Sequence, residues 1–379
     1  MNTEHVDERF AEQALLRYLE TATTDAEDED ALARAIQETL VSAIDTFHAD
    51  LIARATQMLA ERRAERIGFQ ARLYARWREA FDLYEVAWDV AQEAGASFVA
   101  KRQAQAAQEH DIAFDVLTRL HGRACHIASE VYSLLRAGQA TAAMARWRSL
   151  HEVSVVCYLI REYGSPLARR YLDHEVVESL KALNEYESYR ERLGAEPVEP
   201  GLKQCLLDRR AALSRPEAYG PNFKKDYGWA SEVAGTANPN IRDLEKLVHL
   251  DHMRPYYRLA SHGVHLNPKG ITFQLEKPYP ENRMVMEGSN AGLADPGQRA
   301  LISLSQCTIT LIASKPDVLD VEVLTTATAL LRIVDDACAA FIKVHRQLDA
   351  EEREKRQSHT DRDTPSEVDE QNGESTSRD

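Results

Sequence analysis

The sequence predicts an all-α protein: a helical bundle with an N-terminal helical hairpin and one small inserted β-hairpin. Apolar side chains recur every three or four positions over most of the chain, which is the spacing of one buried helix face. The 379 residues include only 16 glycines and 13 prolines, which favours long helices with few turns. Apolar residues make up 44% of the chain, enough for a sizeable core.

The net charge and the cysteine pattern indicate which partners and which cellular compartment to expect. The formal net charge is −15, and residues 350–379 hold ten acidic and five basic side chains. An acidic body repels polyanions, so we expect no non-specific DNA binding and no membrane association. The N-terminus lacks a signal-peptide core, and the longest apolar run, 153–160, is too short for a membrane span. Five scattered cysteines without a C-x-x-C pair indicate reduced thiols and predict a cytoplasmic protein.

The first part of the chain divides at about residue 28. Residues 1–27 are expected to be poorly ordered, and residues 28–110 to form a helical hairpin. Two apolar stripes support the hairpin, one from Leu32 to Met58 and one from Phe69 to Trp88. Gly68 separates them as a turn, or the two stripes belong to one bent helix. The apolar surface exceeds what one partner helix would cover, so we expect a homodimer, with coiled-coil pairing included in that expectation.

Residues 111–349 are predicted to form the helical bundle. One helix should end at Gly138, a suitable left-handed stop. The next should begin at Thr141 as an N-cap and end at Gly164-Ser-Pro166, with its apolar stretch 153–160 at the centre of the fold. Another helix is predicted to begin at Leu167.

The remaining elements include the one predicted strand pair. Helices are expected from about 238 to 250 and up to Gly263. Alternating apolar residues from Ile271 to Leu275, followed by 284–286, predict the β-hairpin. Asp295-Pro296 should open another helix, and a last helix should run from Asp317 to about Gln347. Residues 350–379 lack apolar periodicity and are predicted to be a disordered acidic tail.

Five motifs along the bundle segment resemble those of a known family. They are Ala145-Arg-Trp-Arg-Ser-Leu-His-Glu152, Arg170-Tyr-Leu-Asp-His174, Tyr227-Gly-Trp-Ala230, Tyr257-Arg-Leu-Ala-Ser-His-Gly-Val-His265 and Gly288-Ser-Asn-Ala-Gly292. Together they are similar to a widespread bacterial family of helical domains of unknown function, the DUF 5677 group. The resemblance covers about residues 110–345. It implies a helical fold and no established activity.

A polar cluster is the first candidate site. Arg148 and Glu152 lie four residues apart on one helix face, one turn before the apolar stretch. A charge pair that enters a core must be hydrogen-bonded, so the pair either fixes the helix or lines a ligand pocket, together with His151 and His174. Tyr257 and Ser261 also share a helix face and can join such a cluster. We therefore regard Arg148, Glu152, His174, Tyr257 and Ser261 as candidate ligand-binding residues.

Arg258 and His265 are the candidate catalytic pair. Their spacing falls within the R-x(4–6)-H pattern of the HEPN ribonucleases, which are also small helical bundles. In that chemistry a histidine accepts the proton of an RNA 2′-hydroxyl while an arginine holds the phosphate, and no metal is needed. Leu259 departs from the pattern, because a polar residue usually follows the arginine there.

Two alternatives for function stay open at this point. The preferred hypothesis is a non-catalytic scaffold or ligand-sensing domain with a buried polar cluster and a small ligand. The alternative is a HEPN-like, metal-independent endoribonuclease of toxin or phage-defence type, with RNA as its substrate. Two H-x-x-H pairs, His249 with His252 and His262 with His265, were weighed as a metal site, but no further ligand motif accompanies them. We therefore predict neither a metal nor a cofactor.

Overall fold

The computed structural model describes residues 29–265, 268–272, 274–275, 286–314 and 321–363. The chain divides into two compact units, Met1–Arg72 and Leu73–Asp379. Helices make up almost all of the described residues, and none of these residues forms a β-strand. No helix in the described part of the chain has the length and apolar character needed to cross a membrane.

The first helix, α1, comprises Glu29–Glu109. Gly68 lies inside α1, so the predicted hairpin turn is wrong and the alternative of a single helix is what the structure has. A lone glycine costs only about 1 kcal/mol in a helix interior and does not end a helix without further turn residues. The predicted disorder of residues 1–27 lies outside the described residues.

Two long helices follow and carry most of the core. Helix α2 comprises Ile112–Arg136, and the side chain of Asp111 caps it by accepting a hydrogen bond from the Phe114 backbone N–H. Gly138 has φ +72°, which confirms the predicted left-handed stop. Helix α3 comprises Ala140–Asp173 with Gln139 as its N-cap residue. The prediction that Thr141 is the N-cap is therefore wrong. Its hydroxyl instead accepts a hydrogen bond from the Leu275 backbone N–H.

Helix α3 is interrupted at the predicted position. Gly164 has φ +66° and ψ −156°, a conformation that only glycine adopts readily, and Pro166 then restarts the helix. Before the break, Val155, Leu159 and Ile160 are fully buried, while Val153 is half-buried. The central position predicted for the 153–160 stretch is thus correct for one of its faces.

The other helices are shorter, apart from the last. They are α4 (Glu175–Leu193), α5 (Pro200–Leu213), α6 (Ile241–Leu247), α7 (Arg254–Val264), α8 (Pro268–Thr272), α9 (Ala294–Ile312) and α10 (Val321–Asp363). Three short 3₁₀ turns connect them: Pro221–Lys224, Gly228–Ala230 and Asp251–Met253. Helix α5 was not expected from the sequence.

Two predictions fail in the C-terminal third. The first strand of the predicted β-hairpin is wrong, because Ile271 lies in α8 and Leu275 in a turn, while residues 276–285 lie outside the described residues. Helix α10 continues to Asp363 and so includes residues 350–363, which were assigned to a disordered tail. That segment is rich in Glu, Lys, Arg and Gln, which are good helix formers even without an apolar face.

The core of the second unit lies between α2, α3, α9 and α10. Trp147 is fully buried, and its indole N–H donates to the hydroxyl of Ser303 on α9 at 3.1 Å. Trp77 and Phe341 pack against each other with ring centroids 5.8 Å apart. The same core positions the next turn of α3, which carries the polar residues described below.

Candidate functional site

A fully buried carboxylate lies beside the core helix α3. The side chain of Glu245 is 0% exposed and lies 3.1 Å from the guanidinium of Arg254. The imidazole Nε2 of His151, which is also buried, donates to the same carboxylate at 3.1 Å. Burying a charge is costly unless hydrogen bonds and an opposite charge compensate it, and both are present.

The segment around Glu245 is built to hold it in place. Asn240 and Asp243 form a capping box that starts α6. After α6, His249 adopts φ +57°, and the Leu250 backbone N–H closes the turn on the Glu245 carbonyl at 2.8 Å. The chain then enters α7 at Arg254, so the carboxylate and its guanidinium partner face each other across a tight turn.

A second charged group lies next to the first. The hydroxyl of Tyr257 donates to Glu152 at 2.5 Å, and Arg148 lies 3.4 Å from the same carboxylate. The guanidinium groups of Arg148 and Arg254 each lie 4.7 Å from the centre of the Tyr257 ring. Arg148 belongs to the pair with Glu152 and Arg254 to the pair with Glu245. His151 meets the same ring edge-on at 5.8 Å. We call these six residues the polar network: Arg148, His151, Glu152, Glu245, Arg254 and Tyr257.

Electrostatics keep Tyr257 as a hydrogen-bond donor. Burial raises the pKa of its phenol, and the hydrogen bond to Glu152 raises that pKa further. Arg148 lowers the pKa by a smaller amount. The phenol is therefore protonated at neutral pH, and its two flanking cations gain cation–π attraction.

Arg148 retains an unused donor. Its Nε is buried and has no hydrogen-bond partner in the part of the chain that the structure describes. The side chain as a whole is only partly buried, as is that of Glu152, so this end of the polar network reaches the surface.

A cavity of about 750 Å³ lies between α3, α4 and the loop 225–229. We call it the aromatic cavity. It is lined by Tyr171, Leu172, His174, Glu175, Glu178, Lys181, Asp226, Tyr227 and Trp229. Lys181 pairs with Asp226 at 2.6 Å and with Glu178 at 2.9 Å, and its hydrogen bond lowers the pKa of Asp226.

Tyr227 connects the aromatic cavity with the polar network. Burial raises the pKa of its phenol, and the charge of Glu152 raises that pKa further, whereas Arg148 lowers it. Tyr227 thus lines the cavity and lies within the range of the charges of Glu152 and Arg148.

The predicted ligand residues divide into three groups. The structure brings Arg148, Glu152 and Tyr257 together, with His151 behind them. Ser261 only donates to the Tyr257 carbonyl within its own helix, at 2.9 Å.

His174 lies apart from the polar network, in the wall of the aromatic cavity. Its Nε2 donates to the Lys225 carbonyl at 2.8 Å, and its ring meets Phe223 edge-on. Burial lowers the pKa of His174, and the Lys225 carbonyl partly offsets this effect. His174 therefore anchors the loop as a neutral donor at neutral pH.

Arg258 and His265 are both exposed. Their side chains make no hydrogen bond or ion pair with another described residue. His265 follows the last residue of α7 in an extended conformation. Seven positions along a helix are roughly 20° short of two full turns, so both residues project from a similar side of α7, about 10 Å apart along its axis.

Two members of the polar network escaped the sequence analysis. Glu245 and Arg254 lie in separate elements, and His151, the other partner of Glu245, is far away in the chain. No local signal pointed to Glu245, because a single acidic residue in a short helix is usually solvated.

The histidine pairs do not assemble a metal site within the described residues. No group of three or more His, Cys, Asp or Glu side chains there is arranged to hold an ion. His252 instead pairs its Nδ1 with the carbonyl of His249 at 3.0 Å, on the surface.

Comparison with known proteins identifies the segment that carries the polar network. No curated protein and no solved structure shows a significant match to the chain. One family model does match, and its extent includes four of the five sequence motifs, all but the Gly288–Gly292 motif. Residues 114–281 match the family of unknown function DUF5677, as the sequence resemblance predicts.

Proposed function

We propose that the chain is a non-catalytic, ligand-sensing protein whose ligand binds in the aromatic cavity, beside the polar network. The observation that carries the proposal is the open cavity lined by Tyr227, whose phenol lies within the range of the charges of Glu152 and Arg148. A ligand at Tyr227 would alter the surroundings of a network that joins α3 to α6 and α7. Binding would thereby affect the packing of α3, α6 and α7.

The chemistry of the cavity indicates the kind of ligand. Its volume of about 750 Å³ falls in the range of small-molecule sites. The half-buried rings of Tyr171 and Tyr227 offer surfaces for a planar group. Lys181 and Asp226 supply charges of both signs at the rim, so a small polar molecule with a planar ring fits best.

The competing interpretation is that the polar network only fixes the packing of α3 against α6 and α7. Buried ion pairs often serve that purpose. It accounts for Glu245 and His151, which are sealed from solvent. It does not account for the open cavity.

Thermal unfolding of the full chain in the presence of candidate ligands tests the proposal. The probes are inorganic phosphate, nucleoside monophosphates, aromatic amino acids and polyamines. A ligand at ten times its Kd stabilises the folded state by about 1.4 kcal/mol, which raises the Tm by roughly 2 °C for a chain of this size. At least one probe should produce such a shift.

Two tyrosine variants decide where the ligand binds. Tyr227→Ala should abolish the shift, because it removes an aromatic ring that lines the cavity. Tyr189→Ala is the matched control, since Tyr189 is half-exposed on α4 and does not line the cavity. If no probe shifts the Tm, or if the shift survives in Tyr227→Ala, the proposal is wrong.

A second candidate function rests on the exposure of Arg258 and His265. An RNA phosphate can reach both side chains from solvent, and neither is committed to another described residue. Purified protein incubated with structured and single-stranded RNA, without divalent ions, should then cleave it, and His265→Ala should remove the cleavage. His252→Ala is the control, because His252 is also exposed and lies before α7. Equal cleavage by His265→Ala would exclude this function.

A further inference from the structure

The aromatic cavity carries an excess of negative charge. Three carboxylates line it, those of Glu175, Glu178 and Asp226, against one ammonium, that of Lys181. At neutral pH the formal charge of these four lining groups is −2. A charged ligand that enters the cavity is therefore attracted or repelled according to its sign.

The other titratable side chains of the lining are neutral at neutral pH. Burial lowers the pKa of His174, so its imidazole carries no charge. Burial raises the pKa of the phenols of Tyr171 and Tyr227, so neither is a phenolate. The hydrogen bond from Lys181 lowers the pKa of Asp226, which keeps this carboxylate ionised. None of these groups offsets the excess of carboxylates.

Lys181 has little positive charge to offer to a ligand. Its ammonium donates to Asp226 at 2.6 Å and to Glu178 at 2.9 Å, so two carboxylates already surround it. An anionic ligand would have to compete with both of them. Glu175 forms no ion pair with another described residue, and its carboxylate accepts a hydrogen bond from the Ser179 hydroxyl.

The start of α4 offsets the negative charge only in part. Glu175 and Glu178 lie in the first turn of α4. The N-terminal end of a helix carries about half a positive charge, and acidic side chains in the first turn often balance it. Asp226 lies outside α4, on the loop, and half a charge leaves the lining negative.

A second cavity shows that the excess is not a general property of this acidic chain. It lies between α1, α9 and α10 and has a volume of about 460 Å³. Its charged lining residues are Glu93, Glu322, Lys101 and Arg102, whose formal charges cancel. The negative lining thus distinguishes the aromatic cavity from this one.

Two tyrosine rings complete the surroundings for a cation. The rings of Tyr171 and Tyr227 are half-buried in the wall of the cavity. The face of an aromatic ring attracts a cation, and the attraction grows when the ring is partly desolvated. Neither phenol makes a hydrogen bond with another described residue, so each oxygen can accept one from an ammonium N–H.

We propose that the ligand of the aromatic cavity is a small organic cation, a protonated amine attached to a planar ring. The carboxylates attract the amine, and the tyrosine rings contact both the cation and the planar group. The proposal rests on the proposed function, because it names the chemistry of the ligand at that same site.

Three probes that share a phenyl ring and differ in charge test the sign of the ligand. They are the cation 2-phenylethylammonium, the neutral 2-phenylethanol and the anion 3-phenylpropionate, and isothermal titration calorimetry of the full chain at pH 7 measures each affinity. The cation should bind at least about fivefold more tightly than the alcohol, and the anion more weakly than the alcohol. Raising the salt concentration from about 0.05 M to about 0.5 M should weaken binding of the cation and leave that of the alcohol unchanged.

Charge variants of α4 locate the effect in the cavity. Glu175→Gln removes a carboxylate from the lining and leaves both partners of Lys181 in place, so it should weaken binding of the cation by about two- to fivefold. Glu185→Gln is the matched control, since it makes the same charge change at an exposed position of α4 outside the lining and should leave the affinity unchanged.

A third variant predicts an effect of opposite sign. Lys181→Met removes the ammonium and frees the carboxylates of Glu178 and Asp226, so the cation should bind more tightly than to the unmodified chain. Residues that served packing alone would give no such gain. Weaker binding of the cation to Lys181→Met would contradict the proposal.

The outcomes separate the charge of the ligand from the existence of the site. If the alcohol or the anion binds more tightly than the cation and Tyr227→Ala abolishes that binding, the proposed function stands and the cationic ligand is excluded. Equal effects of Glu175→Gln and Glu185→Gln would also exclude it, because the net charge of the chain would then control the affinity. If the cation does not bind, this proposal is wrong, while the wider set of probes still decides on the proposed function.

Discussion

Replacing Glu245 with glutamine is expected to destabilise the second unit far more than the same change at Glu232. Both carboxylates pair with an arginine, Glu245 with Arg254 at 3.1 Å and Glu232 with Arg170 at 2.6 Å. If the distance between the two charges set the strength of the pair, Glu232 would contribute more to stability than Glu245. However, Glu245 is 0% exposed and Glu232 is 75% exposed, so only the first pair works without water between its charges.

The magnitude follows from what each substitution leaves behind. Removing one partner of a buried ion pair costs about 3–5 kcal/mol. Glutamine keeps one acceptor for His151, and the guanidinium of Arg254 is about one-third exposed, so Glu245→Gln should lower the free energy of unfolding by roughly 2–3 kcal/mol. Glu232→Gln should lower it by about 1 kcal/mol or less, because water screens an exposed pair.

Urea unfolding at pH 7, followed by circular dichroism, measures both differences. The change for Glu245→Gln corresponds to a drop in Tm of roughly 3–5 °C. Adding Arg254→Met to each variant completes a double-mutant cycle and isolates the energy of the Glu245–Arg254 pair. Equal destabilisation by Glu245→Gln and Glu232→Gln would refute the argument that burial controls the strength of the polar network.

Two further predictions concern the core and the loop. Burial lowers the pKa of His121 to about 4 from 6.5, so its contribution to stability is complete above pH 6.5 and about 3 kcal/mol is lost as the pH falls towards 4. His121→Gln should flatten the dependence of the Tm on pH in that range, and an unchanged slope would assign the acid sensitivity to other groups. Gly228→Ala should destabilise the loop, because the new Cβ would lie 2.3 Å from the Phe223 carbonyl oxygen, and limited proteolysis should cut there faster. Gly201→Ala in open space should instead be neutral or stabilise by roughly 0.5 kcal/mol, and a loss as large as that at Gly228 would contradict the steric argument.

The helices could be predicted where local signals were strong. Gly138 and Gly164 end or interrupt helices as expected, because a positive φ is a local property that glycine alone satisfies easily. Gly68 does not end its helix, since glycine also occurs inside helices and no turn residues lie near it. The alternation from Ile271 to Leu275 was too short to distinguish a strand from a turn of helix.

The candidate site could be predicted only in part. Arg148 and Glu152 share a helix face, so their pairing was visible from spacing alone. The contact of Tyr257 with Glu152 joins elements about a hundred residues apart, and it was expected only as membership of a polar cluster. Glu245 escaped altogether, because single acidic residues in short helices are usually solvated. Burial of that carboxylate depends on tertiary packing, which no local pattern encodes.

The interruption at Gly164 lets one length of helix perform two tasks. The segment before Gly164 packs in the core of the second unit. The segment after it changes direction and carries Arg170, whose Nε donates a hydrogen bond to the Trp229 carbonyl at 3.1 Å. A side chain at position 164 would oppose that change of direction. Arg170 would then lie farther from the cavity and would no longer hold the loop. The shape of the cavity therefore depends on a hinge without a side chain, and a graft of this site onto another scaffold would have to copy the bend along with the aromatic rings.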